Sequence, residues 1–115
     1  MQIAVYKSSG GRDIVSSGNF SPEASAKILF VLTKLRENGI DDFYVRSVNK
    51  SVSPKLLEIK HGSIRFFFFL HSGKIHITHI TEHKQKNKTE RYEKATATQR
   101  ISTMLNTPSE HIAWI

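Results

Sequence analysis

Lysine and arginine are concentrated in one part of the chain. Eleven of them lie between residues 46 and 94, against four glutamates in the same stretch. They are Arg46, Lys50, Lys55, Lys60, Arg65, Lys74, Lys84, Lys86, Lys88, Arg91 and Lys94. Guanidinium and ammonium groups at this density attract polyanions such as nucleic acid. The sequence therefore predicts a phosphate-binding surface here, and the alternative is a solvated basic surface without a ligand.

Glu58, Lys60 and Arg65 are spaced so that they can meet on one face of a sheet. Side chains alternate along a strand, so Glu58 and Lys60 share one side, and a neighbouring strand can bring Arg65 beside them. This spacing is compatible with a phosphate clamp. The alternative is a surface ion pair between Glu58 and Lys60 or Arg65, contributing ~0 to 1 kcal/mol. On the residues alone, the ion pair is slightly better supported.

Three of the six histidines, His76, His79 and His83, follow one another closely. His76 and His79, three apart on a strand, are expected on opposite faces, and the chain has no cysteine to complete a metal shell. We therefore predict no metal site. His79 or His83 can act as general acid or base because imidazole titrates near neutral pH. For any single histidine, a solvated or hydrogen-bonded structural role is the better-supported interpretation.

Helix and strand patterns place these residues. Ser21 and Pro22 predict the start of a helix that ends at Gly39. Residues 2–6, 55–60, 64–70 and 74–81 have strand patterns, and the last three are joined by glycine-containing connectors of hairpin length. The polar composition of residues 47–54 predicts a loop. The order predicts an α+β fold with an antiparallel sheet of about four strands.

A second helix is expected over residues 89–105, with Tyr92, Ala95, Ile101, Met104 and Leu105 on its inner side. Four consecutive phenylalanines, at positions 66–69, can be read as an RNA-stacking platform. A buried central strand is the better interpretation, because four exposed phenylalanines would cause aggregation. The tail carries Trp114, which we expect to dock on the body.

Length and composition limit the class of protein. The 115 residues fit a single domain, residues 1–115, and the formal net charge is +7. The longest apolar run, five residues at 66–70, is far too short to span a bilayer. We expect a cytoplasmic protein with no membrane contact. There is no glycine-rich phosphate loop, nucleophile elbow or paired-carboxylate signature, so we expect no cofactor and few enzyme classes remain.

Three short motifs carry a resemblance to a known family. They are Lys55-Leu56-Leu57-Glu58-Ile59-Lys60, then Ser63-Ile64-Arg65-Phe66-Phe67, then Gly73-Lys74-Ile75-His76-Ile77-Thr78-His79. Together they resemble the HigB-like, phage-derived branch of the RelE/ParE superfamily of toxins, over about residues 20 to 105. Lys60 and Arg65 match strand arginines of that branch, and Lys84 and Lys86 keep the basic character of its loop. Ile80 and Lys88 depart from the pattern, where the branch has an aromatic residue and a proline.

The resemblance implies a ribosome-dependent messenger RNA endonuclease that needs no metal and uses the RNA 2′-hydroxyl as nucleophile. It implies two partners, a cognate antitoxin and mRNA on the ribosome. The catalytic group is then Lys60, Arg65, His79, His83 and Lys84. The RNA-binding residues are Lys55, Lys74, Lys86, Lys88 and Arg91. Alternatives are a ParE-like inhibitor of DNA gyrase and a non-catalytic nucleic-acid-binding protein of a mobile element, since a shared fold does not fix the target.

Overall fold

The computed structural model describes residues 2–82 and 90–115. Its helices are α1 (Pro22–Asn38), α2 (Glu90–Asn106) and α3 (Pro108–His111). Its strands are β1 (Ala4–Tyr6), β2 (Val45–Asn49), β3 (Leu56–His61), β4 (Ile64–His71), β5 (Lys74–Glu82) and β6 (Ile112–Trp114). They form one sheet in the order β2-β3-β4-β5-β1-β6. The predicted α+β class is confirmed, with more strands in the described residues than the four expected.

Helix α1 begins and ends where local chemistry predicts. The Ser21 hydroxyl accepts a hydrogen bond from the Ala24 amide at 3.1 Å, and Pro22 occupies the first turn, where no amide partner is needed. At the other end the Gly39 amide donates to the Leu35 carbonyl at 2.9 Å. The predicted inner face is confirmed, since all five of its apolar residues are buried: Ala24, Ile28, Val31, Leu32 and Leu35.

The three predicted strands form an antiparallel meander of β3, β4 and β5. Gly62 and Gly73, with φ of 61° and 73°, occupy the two hairpin turns, and this left-handed backbone suits glycine. Strand β1 pairs with β5 in parallel and with β6 in antiparallel orientation. The sheet is therefore mixed and not purely antiparallel.

The sheet has a hydrophobic core on each side. The α1 face packs Phe66, Phe68 and Ile77 against α1. The α2 face packs Phe67 and Phe69 against α2 and its Ala97, Ile101 and Met104. All four phenylalanines are at most 1% exposed, which confirms the buried central strand and excludes the stacking platform.

A register shift in the β4–β5 ladder changes which residues share a face. Phe67 lies opposite His79, but Phe68 lies opposite Ile77, so Thr78 is the extra residue of a β-bulge. Ile80 consequently joins Ile77 in the core on the α1 face. His76, opposite Phe69, and His79, opposite Phe67, both lie on the α2 face. The expectation that these two histidines point to opposite faces was wrong because the bulge interrupts the alternation.

Several predicted boundaries differ from the structure. The expected polar loop over residues 47–54 begins only after β2, which pairs with β3 as an edge strand. Tyr92 is 71% exposed and Ala95 is also exposed, so the inner side of α2 does not include them. Trp114 belongs to β6, beside β1. None of the described helices is long and apolar enough to cross a membrane.

Candidate nucleic-acid interface

Lys60 and Arg65 lie directly opposite each other on β3 and β4, and Arg65 lies opposite Thr81 on β5. Residues paired in this way share a face, with Cβ atoms about 5 Å apart. Lys60 is exposed, whereas Arg65 is only 7% exposed. Two of the predicted phosphate ligands therefore stand side by side at one end of the α2 face.

Glu58 organises the arginines next to this pair. Its side chain is 3% exposed, and its Oε1 accepts a hydrogen bond from Nη2 of Arg46 at 2.6 Å. Its Oε2 lies 3.7 Å from Nη1 of Arg65. A carboxylate between two guanidinium groups is an ion-pair network and not the surface pair considered above, because Glu58 is buried. It holds Arg65 behind Lys60 and leaves the half-exposed Arg46 at the sheet edge.

His79 lies one step further along the same face, opposite Phe67. Its Nε2 contacts a carboxylate oxygen of Glu93 on α2, and its Nδ1 lies 2.9 Å from Nη1 of Arg100. Arginine can only donate, so Nδ1 is the acceptor and Nε2 carries the proton that Glu93 accepts. The imidazole is thus held in one tautomer between the Glu93 carboxylate and the Arg100 guanidinium group.

Arg100 connects this histidine to the body of the protein. Its Nη1 also donates to the Thr78 carbonyl at 3.1 Å, and its guanidinium lies 4.2 Å from the centre of the Tyr6 ring. Burial lowers the pKa of Arg100, while Tyr6 and Glu93 oppose that change. The bulge at Thr78 directs the carbonyl to Arg100, so the irregular ladder helps to place the His79 network.

An open cleft lies between α2 and β2. It has a volume of about 460 Å³, and Asn49, Arg91 and Lys94 are among its lining residues. Asn49 and the glutamate-paired Arg46 belong to the same strand, three residues apart. Strand β2 therefore carries both a lining residue of this cleft and the arginine that pairs with Glu58. We use the name basic cleft for the group Arg46, Lys60, Arg65, Arg91 and Lys94.

The remaining predicted residues are elsewhere or outside the described ranges. Lys55 is exposed immediately before β3. Lys74 lies opposite His71, six residues along β4 from Arg65, which at about 3.3 Å per residue puts it about 20 Å away. The structure does not bring it to the basic cleft. His83, Lys84, Lys86 and Lys88 lie outside the described residues.

Within residues 2–82 and 90–115, no three His, Asp or Glu side chains are grouped as ligands for a metal ion. From the sequence, Arg46 is only one of eleven bases in the predicted phosphate-binding surface, and neither Glu93 nor Arg100 is predicted as a site residue. A signal for the last two exists, because Glu93, Ala97 and Arg100 fall at positions i, i+4 and i+7 of one helix, and thus on the face turned to the sheet. Nothing local to Arg46 identifies its partner Glu58, twelve residues away.

The family described as Phage derived protein Gp49-like (DUF891) matches residues 18–102, well over half of the chain. The chain belongs to this family. The Gp49-like family is a RelE/ParE-like toxin family of toxin-antitoxin systems, and membership implies an antitoxin partner. No curated protein and no solved structure matches the chain significantly.

Proposed function

We propose that this Gp49-like protein is the toxin of a type II toxin-antitoxin pair and cleaves messenger RNA on the ribosome, in the cytoplasm. The observation that carries the proposal is the adjacent placement of Lys60 and Arg65 on β3 and β4, with buried Glu58 beside Arg65. A buried carboxylate that orients a guanidinium, beside an exposed ammonium group, suits a surface that binds one phosphate from two sides. Family membership supports the toxin role.

The proposed reaction is an internal transfer at one phosphate. The 2′-hydroxyl loses its proton and its oxygen forms a bond to the adjacent phosphorus. The bond from phosphorus to the 5′-oxygen of the next nucleotide breaks, and that oxygen takes up a proton. The products are a 2′,3′-cyclic phosphate and a 5′-hydroxyl end. Lys60 and Arg65 stabilise the added negative charge, with Lys84 as a further candidate.

Proton transfer in this proposal belongs to the His79–Glu93 pair, with His83 as the alternative. The side chains of His79 and Glu93 are 18% and 16% exposed, so the pair reaches solvent while staying oriented. A base within one hydrogen bond of an imidazole is a common arrangement for proton exchange near neutral pH. The substitution Glu93→Gln is expected to lower kcat and to change the pH–rate profile, which loss of packing alone would not do.

The RNA path in this proposal follows the basic cleft. Phosphates next to the cleaved one contact Arg46, Arg91 and Lys94. Lys55, which is exposed, extends the positive field, and Lys86 and Lys88 are further candidate phosphate contacts. Contacts of this kind to phosphate are independent of sequence and weaken as salt concentration rises. Selection among codons therefore has to come from the ribosome-bound messenger or from bases held elsewhere on the protein.

The test is induced expression with growth measurement and primer extension on a translated message. Wild-type protein should arrest growth and produce discrete 5′ ends within coding sequence. The double variant Lys60→Ala with Arg65→Ala should abolish the growth arrest and the cleavage. The matched variant Lys27→Ala, at an exposed position of α1, should keep the growth arrest and the cleavage. Arrest with intact messages and inhibited supercoiling would instead identify a gyrase inhibitor. Normal growth with intact messages would remove the toxin assignment.

A further inference from the structure

Another cavity lies on the α2 face, at the opposite end from Lys60 and Arg65. It has a volume of about 270 Å³ and is enclosed by the β4–β5 turn, the end of α2, α3 and β6. Lys74, His76 and Trp114 line it, together with the apolar Met104, Leu105 and Ile112. We call it the Trp114 cavity. Its volume is just below the roughly 300 Å³ at which pockets for drug-sized ligands begin, so it suits a smaller ligand.

The mouth of the cavity combines an aromatic ring with a cation. Trp114 is 45% exposed, and Nζ of Lys74 lies 4.9 Å from the centre of its ring. The ammonium group lies over one face of the partly exposed indole, where it can bind an anion, and an indole face is a flat stacking surface for a planar ring. The apolar side chains below the indole favour a planar ligand that leaves water on binding.

His76 supplies a hydrogen-bond acceptor in the wall. Its ring is 3% exposed and stacks on Phe69 with centroids 4.8 Å apart. Its Nδ1 lies 3.1 Å from the Lys74 carbonyl oxygen. A carbonyl only accepts, so Nδ1 carries the proton. Burial lowers the pKa of His76, so the ring is neutral at pH 7 and Nε2 keeps a lone pair.

These three features together fit a nucleotide. We propose that the Trp114 cavity binds one nucleotide unit, with the base stacked on Trp114, a base N–H donating to Nε2 of His76, and the phosphate on Lys74. The unit is either a free nucleotide or one residue of a single-stranded RNA. Base stacking on aromatic side chains contributes about 1 to 3 kcal/mol per base in single-strand binding proteins.

A peptide segment with an apolar ring and a carboxylate is the main competitor for this cavity. It would match Trp114 and Lys74, but an apolar ring offers no donor to Nε2 of His76. Burying that acceptor without a partner would cost about 1 to 3 kcal/mol. A nucleobase avoids this loss because its edge carries an N–H group, so the nucleotide is the better match.

The Trp114 cavity and the basic cleft are about 20 Å apart along β4, as estimated from six residues at about 3.3 Å each. The proposal for the cavity is therefore independent of the cleavage site. It holds even if the protein cleaves no RNA. In a nuclease, the cavity would add a base contact to a surface that otherwise binds phosphates.

Trp114 is the single tryptophan of the chain, so its fluorescence reports directly on this cavity. The experiment excites the protein at the red edge of the indole band, where nucleobases hardly absorb. The probes are adenosine and cytidine monophosphate, a short single-stranded oligoribonucleotide, and ribose 5-phosphate as the ligand without a base. We expect saturable quenching by the nucleotides and the RNA, and none by ribose 5-phosphate. Tighter binding of the RNA than of the mononucleotides identifies RNA as the source, and equal binding identifies a free nucleotide.

Variants separate this site from unspecific charge. Lys74→Gln, at an exposed position, and His76→Asn, whose amide can still bond to the Lys74 carbonyl, should each raise Kd about tenfold, the equivalent of 1.4 kcal/mol. Lys27→Gln, which removes the same charge from α1 on the other face, should leave Kd unchanged. The nuclease proposal rests on Lys60 and Arg65 and is tested by the cleavage rates of their variants, so its failure and the failure of the cavity proposal can be distinguished.

Three outcomes would overturn the proposal. The first is the absence of saturable quenching by nucleotides and RNA. The second is quenching that Lys74→Gln and His76→Asn, both confirmed as folded by circular dichroism, leave at the wild-type Kd. The third is binding of an acidic aromatic peptide at Trp114 under conditions where nucleotides do not bind.

Discussion

Replacing Glu58 removes the carboxylate that Arg46 and Arg65 share. The carboxylate is 3% exposed, Arg65 is 9% exposed at its side chain, and Arg46 is 50% exposed. Removing one partner of a buried pair costs about 3 to 5 kcal/mol. Water can solvate the half-exposed Arg46 guanidinium, and the contact between Arg65 and Glu58 is long at 3.7 Å. We therefore expect a cost at the low end of this range. Glu58→Ala should therefore destabilise the fold by about 3 kcal/mol.

The amide in Glu58→Gln keeps the volume and one acceptor but loses the charge. We expect it to cost about 1.5 kcal/mol, the low end for a hydrogen bond to a charged group. At about 4 °C per kcal/mol for a chain of this length, the two variants should lower Tm by about 12 °C and about 6 °C. Glu37→Gln, at an exposed position of α1, is the matched control and should change the free energy of unfolding by at most about 0.5 kcal/mol.

The assay is urea unfolding followed by circular dichroism, supported by thermal melts. The midpoint should fall while the slope against urea stays constant, because the folded surface is unchanged. Added salt should recover little of the loss, since buried pairs are weakly screened. A Glu58→Ala variant within about 1 kcal/mol of wild type would show that the carboxylate does not hold two guanidinium groups.

Three further predictions concern the two sides of the sheet. Phe68→Ala should cost about 3 to 5 kcal/mol in urea unfolding, because it empties a buried site in the α1-face core, and a loss below about 1.5 kcal/mol would contradict that packing. Arg100→Gln should cost about 2 kcal/mol by removing the bonds to His79 and Thr78 and the stacking on Tyr6, and hydrogen exchange along α2 should rise with it. Burial lowers the pKa of His76, so the His76 imidazole binds a proton more readily in the unfolded chain than in the folded one. The free energy of unfolding should therefore fall as the pH drops below about 6.5. The variant His76→Asn should show a smaller fall between about pH 7.5 and 5.

Local signals account for the parts of the fold that the sequence predicted well. Ser21, Pro22 and Gly39 act through hydrogen bonds and backbone angles within a few residues, so the bounds of α1 can be read directly. The hairpins at Gly62 and Gly73 follow from the same kind of local preference. These elements place Lys60 opposite Arg65, which is why that half of the site could be predicted.

The parts that could not be predicted depend on long-range pairing. Strands β2 and β6 have few alternating residues, and pairing with β3 and β1 is what makes them strands. The bulge at Thr78 has no sequence signal of its own, yet it decides that His76 and His79 share a face. Contacts such as Arg100 with His79 link α2 to β5 only after the sheet and the helix have packed.

The proposed cleavage requires that Lys60 and Arg65 bind the phosphate that is cleaved. The most direct measurement is the single-turnover cleavage rate of a ribosome-bound message by Lys60→Ala, because Lys60 is exposed and its loss should not unfold the protein. This binding predicts a rate about 10²-fold below wild type, the low end for removing one charge-stabilising group, with Tm unchanged and with Lys27→Ala at the wild-type rate. A rate for Lys60→Ala equal to that of Lys27→Ala would contradict it.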